Sequence, residues 1–456
     1  MKDLTEGSVI RHLVQMAAFL AVSMVAQTLY LLADLYWVGR LGKEAIAAVG
    51  VAGNLTMFVL AVTQMLGVGT TALIAQAAGR KDQPHAELLF NQSLVMSVLT
   101  ALVLGVIGFF LRGLYCDSLS ADATTALLAR GYMLWFIPGI LLQFPLVAFG
   151  SVLRATGIVK PAVALQVLSV ALNMALAPLL VFGLLGLPRL GVTGAALATF
   201  ISILVADLLM LVYFETKYHY VRFRVTLWRP QLKTWWSMLR IGLPAGAEFV
   251  LLFINVLIVY GIIRHFGPAA QAGFGVGSRV MQALFLPVVA LSFAISPVVG
   301  QNFGGRRADR VRQCIYAAIG IASAVMFLLA LLAHFAPTLL IRGFSADPRV
   351  LAFGGEYLRI VAWNFVAAGI VFSTSSAFQG LGNTIPPLGS SLIRVSLFVV
   401  VALILAHRVG FEIREIWYLS VATQVFQACL SLFLLWRELR RKLIFSEPPA
   451  FAPGIA

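Results

Sequence analysis

The segments LIAQAAGRKD (residues 73–82) and SPVVGQNFGGRRAD (residues 296–309) decide the fold, because they are two copies of one motif. When the sequence is aligned with itself at an offset of 225 residues, the glutamine and the glycine of both copies coincide. The same offset aligns LRATGIVKP, which begins at Leu153, with FQGLGNTIP, which begins at Phe378. A constant offset without gaps over such a length indicates an internal structural repeat.

Both copies consist of long apolar stretches. Of the 456 residues, 61% are hydrophobic and 11% are charged, whereas soluble domains are about 45–50% apolar and about 25% charged. Apolar runs of about twenty residues are typical of membrane-spanning helices, and hydropathy predicts about twelve of them. The predicted spans begin near His12, Ala45, Glu87, Asp122, Pro161, Gly191, Ile241, Ala270, Gln313, Val350, Pro386 and Trp417.

Six spans in each copy, an even number, give both copies the same orientation in the membrane. This predicts an all-α polytopic membrane protein of two six-helix lobes, related by pseudo-two-fold symmetry along the membrane normal, which is an arrangement typical of secondary transporters. The predicted parts are an N-terminal lobe (1–214), a cytoplasmic linker (215–240), a C-terminal lobe (241–440) and a cytoplasmic tail (441–456).

The net charge of +15 indicates the orientation of the chain in the membrane, through the distribution of its basic residues. Most lysines and arginines, Arg154 among them, fall in segments on one side of the predicted membrane, so both termini are expected in the cytoplasm of a cell (inner) membrane. The basic, aromatic linker is expected to lie at the membrane interface among the lipid headgroups, rather than to bind nucleic acid. Cys116, Cys314 and Cys429 show no metal or redox spacing. We expect no cofactor, no nucleic-acid partner, contact with membrane lipid and a monomer.

Ionisable side chains inside spans are costly and therefore mark functional sites. Asp34, Asp207 and Glu248 are such carboxylates. Helical spacing places polar residues on one face of each of three spans, and these stripes are expected to meet inside the first lobe because none can face lipid cheaply. There Asp34 could load and release a proton or help to bind sodium. The stripes are Ser23, Gln27, Tyr30 and Asp34; Gln166, Ser169 and Asn173; and Thr199 and Ser202.

Each carboxylate also has a structural interpretation. Asp34 could lie near the outer interface and pair with Arg40 or Lys43, which follow it closely in sequence. Asp207 is expected to snorkel toward, or pair with, the basic linker. Glu248 shares a helix face with Asn255, seven residues on.

The second lobe leaves two alternatives open for Glu248. It is either a second protonation or cation-recognition point, or a structural partner of Arg279 or Arg394. Arg359 and Arg394 could neutralise Glu248 or attract an anionic headgroup, and Asn364 is expected to line the cleft.

Four motifs resemble those of the multidrug and toxic compound extrusion (MATE) family, and the resemblance covers residues 11–440. They are LADLYWVGRLGKEAIAAVG (32–50), SPVVGQNFGGRRADRV (296–311), LRATGIVKP (153–161) and LNMALAPLLVFG (172–183). The resemblance implies two lobes around a central cleft that opens alternately to each side. It also implies antiport, in which protons or sodium ions enter while an organic solute leaves.

The resemblance carries over to particular residues. It implies that Asp34 is the coupling carboxylate, with Asn173 and Thr199 beside it and with sodium as one possible ion. The chain departs from the family at Ala177, where a second acid is usual, and at Phe19, where a proline is common.

The resemblance, together with the buried polar residues, thus implies a proton- or sodium-coupled antiporter that exports organic, cationic or amphiphilic small molecules. The alternative is a flippase for a lipid-linked or amphiphilic anionic substrate. An enzyme is disfavoured, since the spans contain no HExxH, nucleophile elbow or paired metal-ligand spacing. The expected cavity lining is Gln27, Tyr30, Gln166, Glu248, Asn255 and Asn364.

Overall fold

A computed structural model describes residues 1–120, 122–344 and 347–445, and in those ranges every regular element is helical. The helices are α1 Val9–Gly39, α2 Lys43–Gly79, α3 Gln83–Leu119, α4 Ala123–Leu141, α5 Gln143–Ala155, α6 Val159–Phe182, α7 Val192–Thr216, α8 Leu232–Ile263, α9 Pro268–Gly304, α10 Ala308–Phe335, α11 Pro337–Arg342, α12 Pro348–Val361, α13 Asn364–Gly380, α14 Ile385–Ala406 and α15 Ile413–Lys442.

These helices confirm the predicted number of membrane spans. Eleven helical stretches of the described chain are long and apolar enough to cross a membrane, α4 and α5 together forming one of them (Ala123–Ala155). A twelfth span results if α12 and α13, which meet at a bend of 56°, are counted as one. The all-α, two-lobe fold class is therefore correct, with α1–α7 in the first lobe and α8–α15 in the second.

Helix α1 runs unbroken through Phe19, whereas its repeat equivalent α8 contains Pro244. The absence of proline from α1 allows its hydrogen-bond ladder to continue, since proline removes one backbone donor. A bend of α1 at a proline is thus not available to this chain.

The lobes have separate apolar cores at one end of the molecule. One core is built within the first lobe, around Val38, Ala45 and Tyr132, and another within the second lobe, around Phe274 and Trp417. We call this end the cation-poor face; it carries the connections between α1 and α2 and between α8 and α9.

At the opposite end the two lobes share their cores. Leu13 and Met16 of α1 pack with residues of α9 and α10, and Val68 of α2 packs with Ile241 and Ala245 of α8. This end carries Arg80 and the other basic residues after α2 and α9, and we call it the cation-rich face. The lobes therefore meet at the cation-rich face and separate toward the cation-poor face.

Two equivalent glutamines hold the lobes together at the cation-rich face. Gln76 Nε2 of the first lobe donates to the Gly380 carbonyl of the second at 2.9 Å, and Gln301 Nε2 donates to the Ala155 carbonyl at 2.8 Å. Both glutamines are buried. The sequence offset relates donor to donor and acceptor to acceptor, so one contact is made twice about the pseudo-two-fold axis.

Glycines make this approach possible. A Cβ on Gly79 would overlap the carbonyl oxygen of Gln301, and a Cβ on its equivalent, Gly304, would overlap that of Gln76. The backbones of α2 and α9 are thus in direct contact where the lobes meet. Any larger residue at these two positions must push the lobes apart.

The N-terminal segment seals the same face. Leu4 is fully buried, its backbone N–H donates to Gln301 Oε1 at 2.9 Å, and its carbonyl accepts from Asn302 Nδ2 at 3.1 Å. The Lys2 N–H donates to the carbonyl of Thr156 in the first lobe at 2.9 Å. The segment therefore bridges both lobes.

The connection between α7 and α8 is bound to the first lobe. It occupies residues 217–231, because Leu232 already belongs to α8. Asn91 of α3 accepts from the Arg224 N–H and from Trp228 Nε1, both at 3.0 Å, and Glu87 forms an ion pair with Arg224 at 3.1 Å. The linker is therefore fixed to the end of α3.

We expect Gly79→Ala to open the cation-rich face, because the added methyl group overlaps the opposite backbone and destabilises the contact by about 1–3 kcal/mol. The readout is maleimide labelling of Ser296→Cys, a buried position between the lobes, after the native cysteines are replaced. Labelling should rise in Gly79→Ala. Gly50→Ala on the same helix, where a Cβ meets nothing within 4 Å, should leave it unchanged; equal labelling in both variants contradicts the role of the glycine contact.

Candidate functional site

Polar side chains of α1, α6 and α7 meet inside the first lobe around Thr199. The Thr199 hydroxyl lies 2.9 Å from the Tyr30 hydroxyl, accepts from Asn173 Nδ2 at 3.2 Å and donates to the Ala195 carbonyl at 3.2 Å. Asn173 and Thr199 are buried. Three helices are thereby tied together by one hydroxyl group.

The polar interior continues from this network toward the cation-rich face. Ser23 of α1 donates to Gln166 of α6 at 3.1 Å, and Ser169 donates to the Ser202 carbonyl of α7 at 2.9 Å. Gln27 differs from its neighbours, because its side chain is exposed. The structure thus brings together the predicted stripes with the exception of Gln27.

Asp34 is buried, at 7% exposure, one helical turn beyond Tyr30. Its Oδ1 atom is enclosed and has no hydrogen-bond partner within the described part of the chain. Asp34 does not pair with Arg40 or Lys43, as the structural interpretation proposed. Arg40 donates to the Tyr36 hydroxyl, and Lys43 lies 3.9 Å from Glu44. Asp34 is therefore a membrane carboxylate without a counter-ion among the described residues.

The missing second acid of the family leaves a fully apolar position. Ala177 lies one turn beyond Asn173 on α6, is fully buried, and packs with Leu180 and Ala198. Trp37 of α1 lies against this group. The side of α6 that faces Asp34's helix thus offers the amide of Asn173 and no second carboxylate.

Asp207 of α7 corrects a prediction. Its side chain is 6% exposed, and both carboxylate oxygens lack a hydrogen-bond partner in the described ranges. It neither snorkels nor pairs with the linker, whose Arg224 is paired with Glu87 instead. The linker binds the end of α3, and no ion pair of the described residues joins one of its cations to Asp207.

The second lobe contains a similar polar interior built around Glu248. The carboxylate accepts from Ser375 of α13 at 2.8 Å and from Ser391 of α14 at 3.3 Å. Gln427 of α15 donates to Ser391 at 2.9 Å. Glu248 thus joins three helices directly and α15 through Ser391. No ion pair of the described residues includes Glu248, so the predicted pairing with Arg279 or Arg394 is absent there.

The two lobes use equivalent positions for these contacts. At the repeat offset, Ser23 corresponds to Glu248 and Gln166 to Ser391, and in each lobe the two side chains are hydrogen-bonded. The repeat therefore extends from the backbone to the interior polar contacts, while the second lobe carries a charge where the first is neutral.

The remaining predicted residues of the second lobe lie nearer the cation-poor face. Asn364 Nδ2 donates to Ser420 at 3.1 Å, and the side-chain oxygens of Asn364 and Asn255 are buried without a partner in the described chain. Arg359 is exposed and lines a surface cavity of about 490 Å³ with Glu356 and Tyr418. Arg359 thus lies outside the polar interior of the lobe.

A small cavity on the pseudo-two-fold axis was missed by the sequence analysis. The sequence analysis assigned Arg154 to a cytoplasmic segment, but it belongs to the last turn of α5. Its side chain donates to Ser151 at 2.9 Å and lies over the Phe293 ring of the other lobe.

The cavity measures about 10 Å³, which is room for about one water molecule. Its lining includes three repeat-related pairs: Val68 and Phe293, Thr71 and Ser296, and Arg154 and Gln379. The signal available in the sequence was that Arg154 aligns with another polar residue.

Comparisons with known proteins agree with this architecture. The family model described as MatE matches residues 20–179 and again residues 244–404, which repeats the internal alignment. A probable multidrug resistance protein of Bacillus subtilis, YoeA, is 28% identical over 87% of this chain and 87% of its own length. The FAD transporter of Shewanella oneidensis is 27% identical over 81% of this chain and 82% of its own.

Solved structures show the same fold. A MOP superfamily transporter from Pyrococcus furiosus, described as having a binding pocket of reverse polarity that suggests a different function, superimposes with a TM-score of 0.88 at 25% identity, over 96% of this chain and 98% of its own. A multidrug resistance MATE family transporter in its outward-facing conformation gives a TM-score of 0.89 at 24% identity, over 97% and 98%. Since one family model covers both halves of the chain, the protein belongs to the MATE family of the MOP superfamily, and it is a multi-pass secondary transporter, not an enzyme.

Proposed function

We propose that the protein is a cation-coupled antiporter that exports organic, cationic or amphiphilic small molecules by alternating access. The observation that carries the proposal is Asp34, a buried carboxylate without a counter-ion among the described residues, next to the Tyr30, Thr199 and Asn173 network. A membrane carboxylate is costly and is retained where it binds a cation. Here it lies on the helix that packs against the other lobe.

Orientation follows from the positive-inside rule. It places the cation-rich face, both termini and the interlobe linker in the cytoplasm of a cell (inner) membrane. The present arrangement, with the lobes joined at that face by Gln76 and Gln301, is then the outward-facing state. We retain the predicted division into lobes of residues 1–214 and 241–440 as part of this proposal, together with a monomeric state.

Coupling would operate through the charge of Asp34. Binding a cation neutralises the carboxylate and changes how the interior of the first lobe packs around α1. Moving one charge across the membrane is worth about 2.3 kcal/mol per 100 mV, which shifts an equilibrium between two arrangements considerably. Because α1 also packs on α9 and α10, a shift of α1 would be transmitted to the interface between the lobes.

The contacts favour a proton over sodium as the coupling ion. Sodium requires several oxygen atoms with free lone pairs, but the Asn173 amide points its nitrogen at Thr199, and the Thr199 hydroxyl is already hydrogen-bonded to three groups. Asp34 itself can hold a proton without further ligands. A sodium site at Asp34 and Asn173 would need these side chains to rearrange.

Relatives support an organic substrate without fixing its charge. Two Bacillus subtilis relatives are named probable multidrug resistance proteins and one relative is named an FAD transporter. A flippase for an amphiphilic anion is the second candidate. Of the two arginines that suggested it, Arg359 is at the exposed surface, so that candidate depends on Arg394.

We expect Asp34→Asn to abolish exchange of substrate against ions in proteoliposomes while leaving expression and folding intact, because the amide keeps the shape of the side chain and cannot cycle its charge. Asp309→Asn is the matched control, since Asp309 is a fully exposed carboxylate paired with Arg312. Full coupled transport by Asp34→Asn overturns the assignment of Asp34.

We expect an imposed pH gradient to drive export of a cationic dye, with protons moving in the opposite direction, and an equal sodium gradient at constant pH to drive none. Proteoliposomes of the wild-type protein, followed by dye fluorescence, provide the measurement. Transport driven by sodium alone contradicts proton coupling and still leaves Asp34 as the coupling residue, which Asp34→Asn tests separately.

A further inference from the structure

Arg394 has a buried guanidinium group that has no partner among the described residues. It lies in the middle of α14 and is 6% exposed. No hydrogen bond or ion pair of the described residues involves its side chain, and its Nε atom is fully enclosed. Because an unpaired charge in an apolar interior costs several kcal/mol, such a residue is expected to have an anionic partner at some stage of the transport cycle.

The neighbouring helices do not supply that partner. Helices α8, α13 and α15 pack against α14, and the one carboxylate within their membrane-embedded parts is Glu248. Its oxygens accept hydrogen bonds from Ser375 and Ser391. Glu415 and Glu438, near the two ends of α15, lie 3.5 Å from Arg408 and 3.2 Å from Lys442.

The Ser391 contact defines the depth of Arg394. Helices α8 and α14 run in the same direction, and Ser391 is level with Glu248. Arg394 lies three residues further on, about 4.5 Å nearer the cation-poor face. It is thus between the level of Glu248 and that of Asn255, whose side-chain oxygen is also without a partner in the described ranges.

The repeat shows that the fold does not require this arginine. At the offset of 225 residues, Arg394 corresponds to Ser169 in the first lobe, whose hydroxyl donates to the Ser202 carbonyl at 2.9 Å. The two positions occupy equivalent helices with equivalent neighbouring contacts. A small, satisfied side chain therefore serves the packing, and the arginine is a feature added to the second lobe.

We propose that Arg394 binds an anionic group, a carboxylate or a phosphate, on the transported molecule, within the second lobe. The planar guanidinium matches both groups with two parallel hydrogen bonds. The unbonded side-chain oxygens of Asn255 and Asn364 can accept hydrogen bonds from neighbouring hydroxyl or amine groups of the same molecule. The inference deepens the proposed export function, on which it rests, by giving the substrate an anionic group.

The test uses two pairs of fluorescent probes that differ in one anionic group. Flavin mononucleotide is compared with riboflavin, and a rhodamine with a free carboxylate is compared with its methyl ester. Binding to the purified full-length protein in detergent is measured by fluorescence polarisation, for the wild type and for Arg394→Gln, Arg394→Lys and Arg359→Gln. The last variant is the matched control, because Arg359 is an exposed arginine of the same lobe.

We expect the wild type to bind the anionic member of at least one pair more tightly. Arg394→Gln should weaken binding of that member about 10- to 100-fold, the range for a lost charge-assisted hydrogen bond, and should leave its uncharged or esterified counterpart unchanged. Arg394→Lys should retain a reduced preference, and Arg359→Gln should behave as wild type. A preference in the flavin pair identifies a phosphate site, and one in the rhodamine pair a carboxylate site.

The proposal is overturned if the wild type shows no preference in either pair, or if Arg394→Gln weakens both members equally. If Arg394→Gln aggregates, Arg394→Lys decides, and equal affinity for both members of each pair then overturns the proposal. Proton-driven exchange of the rhodamine ester reports on the export function separately, because it depends on Asp34 and is not expected to change in Arg394→Gln.

Discussion

The structure depends on one contact that is made twice. Gln76 and Gln301 each reach across the interface and donate to a backbone carbonyl at the end of a helix in the opposite lobe. Each can do so because a glycine of the other copy leaves no side chain in the way. Since both contacts lie at one end of the molecule, they join the lobes there and leave the other end free to separate. A transporter needs a junction of this kind, because a reversible contact must be specific and small enough to break.

The symmetric scaffold carries an asymmetric set of charges. Both lobes use equivalent positions for an interior hydrogen bond, Ser23 of α1 with Gln166 of α6 and Glu248 of α8 with Ser391 of α14. Among the described residues, the first lobe has its buried acids without an ion pair elsewhere, at Asp34 and Asp207, and the second lobe adds Arg394. Duplication thus explains the similar polar interiors of the two lobes, and substitution within these interiors gives the lobes different chemistry.

Much of this arrangement was predictable from the sequence. The constant offset gave the two lobes, and helical spacing correctly placed Tyr30, Asn173 and Thr199 within reach of one another. Helical spacing gave the wrong environment for Gln27, which lies on the same face of α1 as Tyr30 but is exposed. Periodicity shows which face of a helix a side chain occupies, but it does not show which other elements bury that side chain. It could not give the hydroxyl partners of Glu248 either, since these depend on how distant helices rotate against each other.

Arg154 shows the same limit of sequence-based prediction, because it was predicted to be in a loop and lies between the lobes. A hydropathy profile assigns a basic residue close to the end of a span to the adjacent loop. The long side chain of Arg154 nevertheless extends between the lobes and lies over the Phe293 ring. The position that aligns with it, Gln379, lines the same axial cavity. A residue that lies close to its own repeat equivalent must lie near the symmetry axis, where the two lobes meet. When the sequence of a duplicated transporter is aligned with itself, some polar residues at the end of a span align with another polar residue. These pairs are therefore the positions at which the sequence can locate the path between the lobes.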